Sequence, residues 1–100
     1  MFGLKKLFPP RANYRQLREQ GAIILDVRTP EEYKTGHIPG SLNVPVDRVT
    51  TVVADLIRKN KPVITCCRSG VRSNMAAGVL KKAGIEAYNG GAWNDLLNKL

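Results

Sequence analysis

Long apolar runs, metal-binding patterns and abundant cysteine are all missing from this 100-residue chain. No segment approaches the roughly 20 consecutive apolar residues that a membrane-spanning helix requires. The chain has one histidine, His37, and two adjacent cysteines, Cys66 and Cys67, which give no zinc-binding spacing. Because neighbours in an extended segment point to opposite sides, a structural disulfide between the two is not expected. The cysteines are therefore inert buried thiols, or at least one of them is reactive.

Acidic residues are also scarce, since sixteen Lys and Arg face eight Asp and Glu and give a formal net charge of +8. Such a charge favours anionic partners in general, nucleic acid included. The basic residues are scattered, however, and the densest group is Arg58, Lys59 and Lys61. No aromatic stacking motif or zinc finger accompanies it. We interpret the charge as a solvated basic surface and expect no nucleic-acid partner.

Neither an internal repeat nor a shift in composition divides the chain, and its length suits one domain. We predict a single domain over residues 11–100 after a flexible N-terminal leader, residues 1–10. The apolar parts of this leader are too short for a signal-peptide core, and it lacks a small-residue cleavage site. The expected compartment is therefore the reducing cytoplasm. A weak binding of the leader to a surface, through its apolar residues beside two lysines, stays open.

Strand-like apolar runs alternate with helical patterns along the chain. We predict helical segments over residues 13–21, 29–36, 46–60, 73–84 and 93–100, strands over 22–27, 42–44, 61–67 and 85–88, and a turn over 89–92. The two longest strands are continuous apolar runs, which are typical of strands covered on both faces. The alternation favours a parallel sheet sandwiched between helices. Ligands of such folds bind beyond the carboxyl ends of the strands, where Cys67 and the segment 26–28 lie.

The segment CRSGVR (67–72) joins the end of a predicted strand to the start of a predicted helix. The first turn of a helix leaves several backbone N–H groups without partners, and with the helix dipole these form an anion site. Gly70 permits the tight turn, and Arg68 and Arg72 add positive charge. A thiol at the mouth of this loop should have a lowered pKa and act as a nucleophile at neutral pH.

The alternative for Cys67 is a small buried apolar residue beside surface arginines. The reactive interpretation requires that its side chain is open to solvent and ionised in neutral buffer. Cys66, inside the strand, is expected to be buried and inert. A role as a resolving thiol that attacks an oxidised or sulfur-loaded Cys67 stays open.

Three segments carry motifs, in the order LDVRTPEEYKTGHIPGSLNVP (25–45), CRSGVRS (67–73) and NGGAWNDL (89–96). Together they resemble the single-domain rhodanese-like sulfurtransferases: an N-terminal signature, the active-site loop and a Gly-Gly and Trp segment. The resemblance covers nearly the whole chain. Two features depart from the family, because residues 8–17 show no convincing opening strand and the second cysteine, Cys66, is not a family feature.

The resemblance implies a three-layer α/β/α fold around a central, mostly parallel sheet of four to five strands. It also implies that the Cys67 thiolate attacks the sulfane sulfur of thiosulfate or a similar anionic donor. Sulfite leaves, and the resulting persulfide passes its outer sulfur to cyanide, a small thiol or a protein thiol. The loop expected to hold donor and persulfide comprises Arg68, Ser69, Gly70, Val71, Arg72 and Ser73. No metal or organic cofactor is implied.

Other residues near the predicted site are assigned mostly supporting roles. Asp26 and Arg28 are candidates for supporting the site from the neighbouring strand. An ion pair between Arg28 and Glu32 is expected at the end of that strand. His37 is predicted to anchor a loop by a hydrogen bond rather than to act as a base. Trp93 is predicted to be a core or helix-packing residue.

Two rival functions remain. One is a cysteine-dependent phosphatase or arsenate reductase. The pattern that such enzymes resemble has five residues between Cys and Arg, whereas only four residues separate Cys67 from Arg72. A non-catalytic or regulatory binding module with the same fold is the other alternative. A sulfur carrier for a dedicated protein partner shares the proposed chemistry and differs only in the acceptor.

Overall fold

A computed structural model describes residues 12–100, and the predicted leader lies outside these residues. The elements in chain order are α1 (Tyr14–Glu19), β1 (Ile23–Asp26), α2 (Pro30–Lys34), β2 (Leu42–Asn43), a 3-10 helix (Val46–Val52), α3 (Val53–Lys59), β3 (Val63–Cys67), α4 (Val71–Lys82), β4 (Ala87–Ala92) and α5 (Trp93–Leu97). The alternation of strands and helices that the apolar pattern predicts is confirmed. None of these helices has the length and apolar character needed to cross a bilayer.

The four strands form one sheet in the order β2-β1-β3-β4, and every neighbouring pair is parallel. Two apolar clusters cover its two faces. One cluster includes side chains of α3 and α4, and the other receives side chains of α1 and α5. The three-layer α/β/α fold with a parallel sheet is therefore confirmed. Cys67 belongs to the first cluster and Cys66 to the second, so the adjacent cysteines face opposite layers.

Side-chain hydrogen bonds cap the start of the first two helices. The Asn13 side chain accepts a hydrogen bond from the Gln16 N–H at the start of α1. At α2, Thr29 and Glu32 form a capping box around Pro30. The predicted helix over 46–60 differs, because its first half is a 3-10 helix and only Val53–Lys59 is α-helical. The first half is rich in β-branched residues and has no side-chain cap, both of which disfavour an α-helix.

The predicted turn over residues 89–92 is wrong, because these residues belong to strand β4. Gly90 lies so close to β3 that an added Cβ would be 2.8 Å from the Thr65 carbonyl oxygen and 2.9 Å from Ile64 Cγ2. Gly91 has a φ of +82°, and the pairing register of β3 with β4 shifts between Thr65 and Cys67. Gly90 thus allows β4 to lie close to β3, and Gly91 lies where the pairing of the two strands is irregular. The two glycines do not form a turn.

Parallel pairing brings the ends of β1 and β3 to the same edge of the sheet. Asp26 pairs in register with Cys66, one residue before Cys67. The loop that follows each strand therefore starts beside the other, and β4 flanks β3 on its other side. The predicted site residues of both strands, and of the loops that follow them, therefore lie at this edge of the sheet.

We expect that Gly90→Ala lowers the free energy of unfolding by about 1–3 kcal/mol, because the added methyl overlaps backbone and core atoms. Gly78→Ala is the matched control, since Gly78 lies in α4 with no atom within 4 Å of the added methyl. The control should stabilise the protein by about 0.5–1 kcal/mol through helix propensity. Urea unfolding of both variants measures the difference. Equal effects of the same sign would contradict the close approach of β4 to β3.

Candidate active site

The sulfur of Cys67 lies inside the loop that joins β3 to α4. Its Sγ accepts a hydrogen bond from the Gly70 N–H at 3.0 Å and a longer one from the Ser73 N–H at 3.4 Å. The Ser73 hydroxyl oxygen lies 3.3 Å away. Gly70 caps α4 with a φ of +102°, a conformation that favours glycine. The chain therefore curls around the sulfur before the helix begins.

The two adjacent thiols have opposite electrostatic environments. Burial raises the pKa of the Cys66 thiol to about 12. Burial also acts to raise the pKa of Cys67, but the backbone N–H groups of Ser73, Gly70 and Ser69, together with the Ser73 hydroxyl when it faces the sulfur, outweigh it. The pKa of Cys67 therefore lies below its ordinary value. The lowered pKa expected from the loop pattern agrees with this geometry, and Cys66 is buried and poorly ionised as expected.

The prediction that Cys67 is open to solvent is wrong for this structure, because its exposed fraction is 0%. The polar atoms that contact its sulfur belong to the loop and to Ser73. Arg68 and Ser69, which follow it in the chain, are exposed. The sulfur thus has no exposed surface at the edge of the sheet, and a donor reaches it only if the residues around it shift.

The ion pairs at this edge differ from the predicted pairing of Arg28 with Glu32. The Glu32 carboxylate instead binds Arg72 through two contacts, Nη1–Oε1 at 2.7 Å and Nη2–Oε2 at 3.0 Å. This arginine, helped by the Thr29 N–H, lowers the pKa of Glu32 to about 2. Arg28 reaches only the main-chain oxygen of Glu32, at 3.2 Å. The guanidinium of Arg72 is therefore already paired and ties the active-site loop to α2.

Arg28 forms a buried ion pair with Asp26, whose carboxylate accepts from Nε at 3.0 Å and from Nη2 at 2.7 Å. The same guanidinium donates to the Gly36 carbonyl oxygen at 2.7 Å and lies 4.8 Å from the ring centre of Trp93. Both candidates thus support the loop after α2 and have their polar atoms occupied. Trp93 packs against the second apolar cluster, as predicted.

His37 anchors its loop, as its sequence context predicts. Its Nδ1 lies 2.8 Å from the Tyr33 carbonyl oxygen. The imidazole also stacks on the Tyr33 ring, with 3.7 Å between the ring centres. Both contacts join α2 to the loop that follows it, so the imidazole of His37 has a structural role in holding that loop.

Arg68 differs from the other two arginines, because no described residue pairs with its guanidinium. It lines an open pocket of about 400 Å³ at the carboxyl edge of the sheet. The remaining lining residues are Arg28, Glu31, Glu32, Thr35 and Trp93. Within residues 12–100, Arg68 is the active-site arginine that remains available to an anionic ligand.

Asn89 is a site residue that sequence analysis missed. Its side-chain oxygen accepts from the Ser73 hydroxyl at 2.6 Å and from the Gly91 N–H at 3.0 Å. Its side-chain nitrogen donates to the Gly70 carbonyl oxygen at 3.2 Å. The only signal was its position before two glycines, which indicated a turn. Nothing in the sequence pattern places an asparagine of β4 against the loop after β3.

The family model of the rhodanese-like domain matches residues 10–94. The chain belongs to the rhodanese-like family. It is 36% identical over 88 residues to the thiosulfate sulfurtransferase GlpE of Pseudomonas syringae, covering 85% of this chain and 77% of that protein. It is 37% identical over 86 residues to the tRNA sulfurtransferase of Pyrobaculum aerophilum, but those residues, 86% of this chain, span only 18% of the relative.

Comparison with solved structures also identifies the rhodanese-like fold. A rhodanese from E. coli, solved with anions, is 31% identical, with a TM-score of 0.69 over 75% of this chain and 91% of that chain. Together with the sulfurtransferase relatives, this likeness places the protein in a sulfurtransferase family. In this rhodanese-like domain, the β3–α4 loop is where a cysteine sulfur accepts hydrogen bonds from backbone N–H groups.

Proposed function

We propose that the protein is a sulfurtransferase that moves sulfane sulfur from thiosulfate or a similar anion to a thiophilic acceptor through a persulfide on Cys67. One observation carries the proposal: backbone N–H groups of the β3–α4 loop surround a sulfur whose pKa they lower. Such a loop stabilises a thiolate and, after one sulfur is added, a persulfide anion. The relatives named as thiosulfate sulfurtransferases support the choice of donor.

The reaction needs two displacements and no external oxidant. In the first, the Cys67 thiolate attacks the sulfane sulfur, a new S–S bond forms, and sulfite leaves with the electron pair of the old bond. In the second, a thiolate or cyanide attacks the outer sulfur of the persulfide, and the Cys67 thiolate is released. Because the nucleophile is already an anion, the Cys67 attack needs no general base.

Donor binding is assigned to Arg68 and the loop amides. Arg72 is less suited to this role than its position in the motif indicates, because both of its terminal nitrogens contact Glu32. Its contribution is to hold the loop against α2. Since the sulfur has no exposed surface, binding of the donor must be coupled to a shift of the residues around it.

A second candidate function is a non-catalytic binding module of the rhodanese-like fold, and the complete burial of Cys67 favours it. The two functions differ in one property. A transferase exposes Cys67 often enough for a small anion to react, whereas a binding module has no need to do so.

We expect thiosulfate to add one sulfur atom to the intact protein, seen as a mass gain that cyanide reverses. Cys67→Ser should abolish the gain. Cys66→Ala should keep most of it, because that thiol faces the other layer of the sheet. No mass gain at neutral pH in the unmodified protein, reduced beforehand and then freed of thiol reductant, would favour the binding module.

Arg68→Ala should raise KM for thiosulfate roughly fivefold with little change in kcat, because it removes one exposed charge that attracts the anion. Added salt should shrink the difference between variant and wild type. Arg58→Ala is the charge-matched control, since Arg58 is an exposed residue of α3 paired with Asp55. Equal effects of the two substitutions on KM would show that only net charge matters and that Arg68 has no specific contact.

A further inference from the structure

The hydroxyl of Ser73 lies between two groups that can each take its single proton. Its oxygen is 2.6 Å from the Asn89 side-chain oxygen and 3.3 Å from the sulfur of Cys67. One proton cannot serve both contacts at once. Which contact receives it decides whether the hydroxyl presents a hydrogen or a lone pair to the sulfur.

The orientation of the Asn89 amide is determined by its other contacts. The Gly91 N–H donates to Oδ1, and Nδ2 donates to the Gly70 carbonyl oxygen. A flipped amide would set a donor against the Gly91 N–H and an acceptor against the Gly70 oxygen. The oxygen therefore faces Ser73, and in the 2.6 Å contact only Ser73 has a proton to donate.

Separate anchors hold the two residues at this distance. The buried Thr65 hydroxyl donates to the Ser73 carbonyl oxygen at 2.8 Å. The Tyr14 hydroxyl donates to the Asn89 carbonyl oxygen at 3.1 Å. Because β3 holds one residue and α1 the other, the contact does not depend on the active-site loop alone.

The proton position has opposite consequences for the two states of the sulfur. While Ser73 donates to Asn89, its lone pair can accept the S–H of a neutral Cys67 thiol. The same lone pair would repel a thiolate or persulfide. An anionic sulfur is stabilised by Ser73 only after the hydroxyl turns away from Asn89.

We propose that Asn89 is a positioning residue that competes with Cys67 for the Ser73 proton, holding it while the sulfur is a thiol and releasing it when the sulfur becomes an anion. The inference rests on the proposed function, because it concerns the same sulfur. It gives a residue of β4, which lies outside the motif of the β3–α4 loop, an influence on the ionisation of Cys67. Asn89 acts through Ser73 and has no recorded contact with the sulfur among the described residues.

Charged groups around the sulfur do not obscure a titration of Cys67 between about pH 6 and 10. Arg72 and Arg28 have raised pKa values through their pairing with Glu32 and Asp26 respectively. Glu32 itself has a pKa of about 2, and that of Cys66 is about 12. Asp26 is paired with Arg28, with 2.7 Å between Oδ2 and Nη2.

The test measures how Ser73→Ala changes the pH midpoint of Cys67 ionisation in three backgrounds. These backgrounds are the protein with Asn89 unchanged, the Asn89→Ala variant and the Asn89→Asp variant. All proteins carry Cys66→Ala, so that Cys67 is the single thiol. Alanine removes the acceptor and frees the Ser73 proton, whereas aspartate keeps an acceptor oxygen. Both lose the donor to the Gly70 oxygen, and because aspartate also adds a negative charge, only the effect of Ser73→Ala within each background is compared. The midpoint is measured from the pH dependence of alkylation and, without any reagent, from thiolate absorbance.

In the Asn89→Ala background, Ser73→Ala should raise the Cys67 midpoint by about one pH unit, the size expected for one lost hydrogen bond to an anion. With Asn89 or Asp at this position, the same substitution should raise the midpoint clearly less or not at all, because a hydroxyl that turns to the anion gives up its hydrogen bond to residue 89. A merely structural role of Asn89 would not make the effect of Ser73→Ala depend on the acceptor at this position. Ser69→Ala, at an exposed hydroxyl of the same loop, is the control and should act equally in all three backgrounds.

An equal rise in all backgrounds, or no rise in any, would overturn the proposal. Asn89→Val is a second variant without an acceptor, suited to a strand, should the alanine variant fold poorly. The titration needs no sulfur donor, so it separates this inference from the proposed function. If the background dependence is found but thiosulfate does not load Cys67, the hydrogen-bond competition stands and the transferase proposal fails.

Discussion

The hydrogen bonds that the β3–α4 loop gives to the Cys67 sulfur are the interaction on which the site depends. Burial by itself disfavours an ionised thiol, as the raised pKa of the neighbouring Cys66 shows. Cys67 also has no exposed surface but lies less deeply, and hydrogen-bond donors of the loop and of Ser73 outweigh its burial and lower its pKa. The pKa values of the two adjacent thiols thus differ because their side chains face opposite layers of the sheet, and only that of Cys67 contacts the donors of the loop.

The surrounding contacts hold that loop from two sides. Glu32 caps α2 and also pairs with Arg72, so the start of one helix is linked to the start of another. On the other side, Asn89 of β4 binds the loop at the Gly70 oxygen and at Ser73. A loop held in this way keeps its N–H groups aimed at the sulfur, and it also covers the sulfur. The same contacts therefore promote ionisation and restrict access.

Features set by local chemistry could be predicted from the sequence. Apolar runs predicted the parallel sheet, and adjacency predicted that Cys66 and Cys67 face opposite layers. Features that depend on partners distant in the chain could not. Two arginines and two carboxylates meet at one edge, and only the three-dimensional arrangement shows that Glu32 binds Arg72. Likewise, the glycines after Asn89 indicate a turn until the neighbouring strand shows that Gly90 fills a space too small for a Cβ.

The central claim is that Cys67 is ionised and reactive near neutral pH although its own loop covers it. The most direct test is the rate of its alkylation as a function of pH in the folded Cys66→Ala protein. We expect a midpoint clearly below the value of about 8.5 of an ordinary cysteine, and a reaction that proceeds without unfolding. A midpoint at or above that value, or labelling only under conditions that unfold the protein, would contradict the claim.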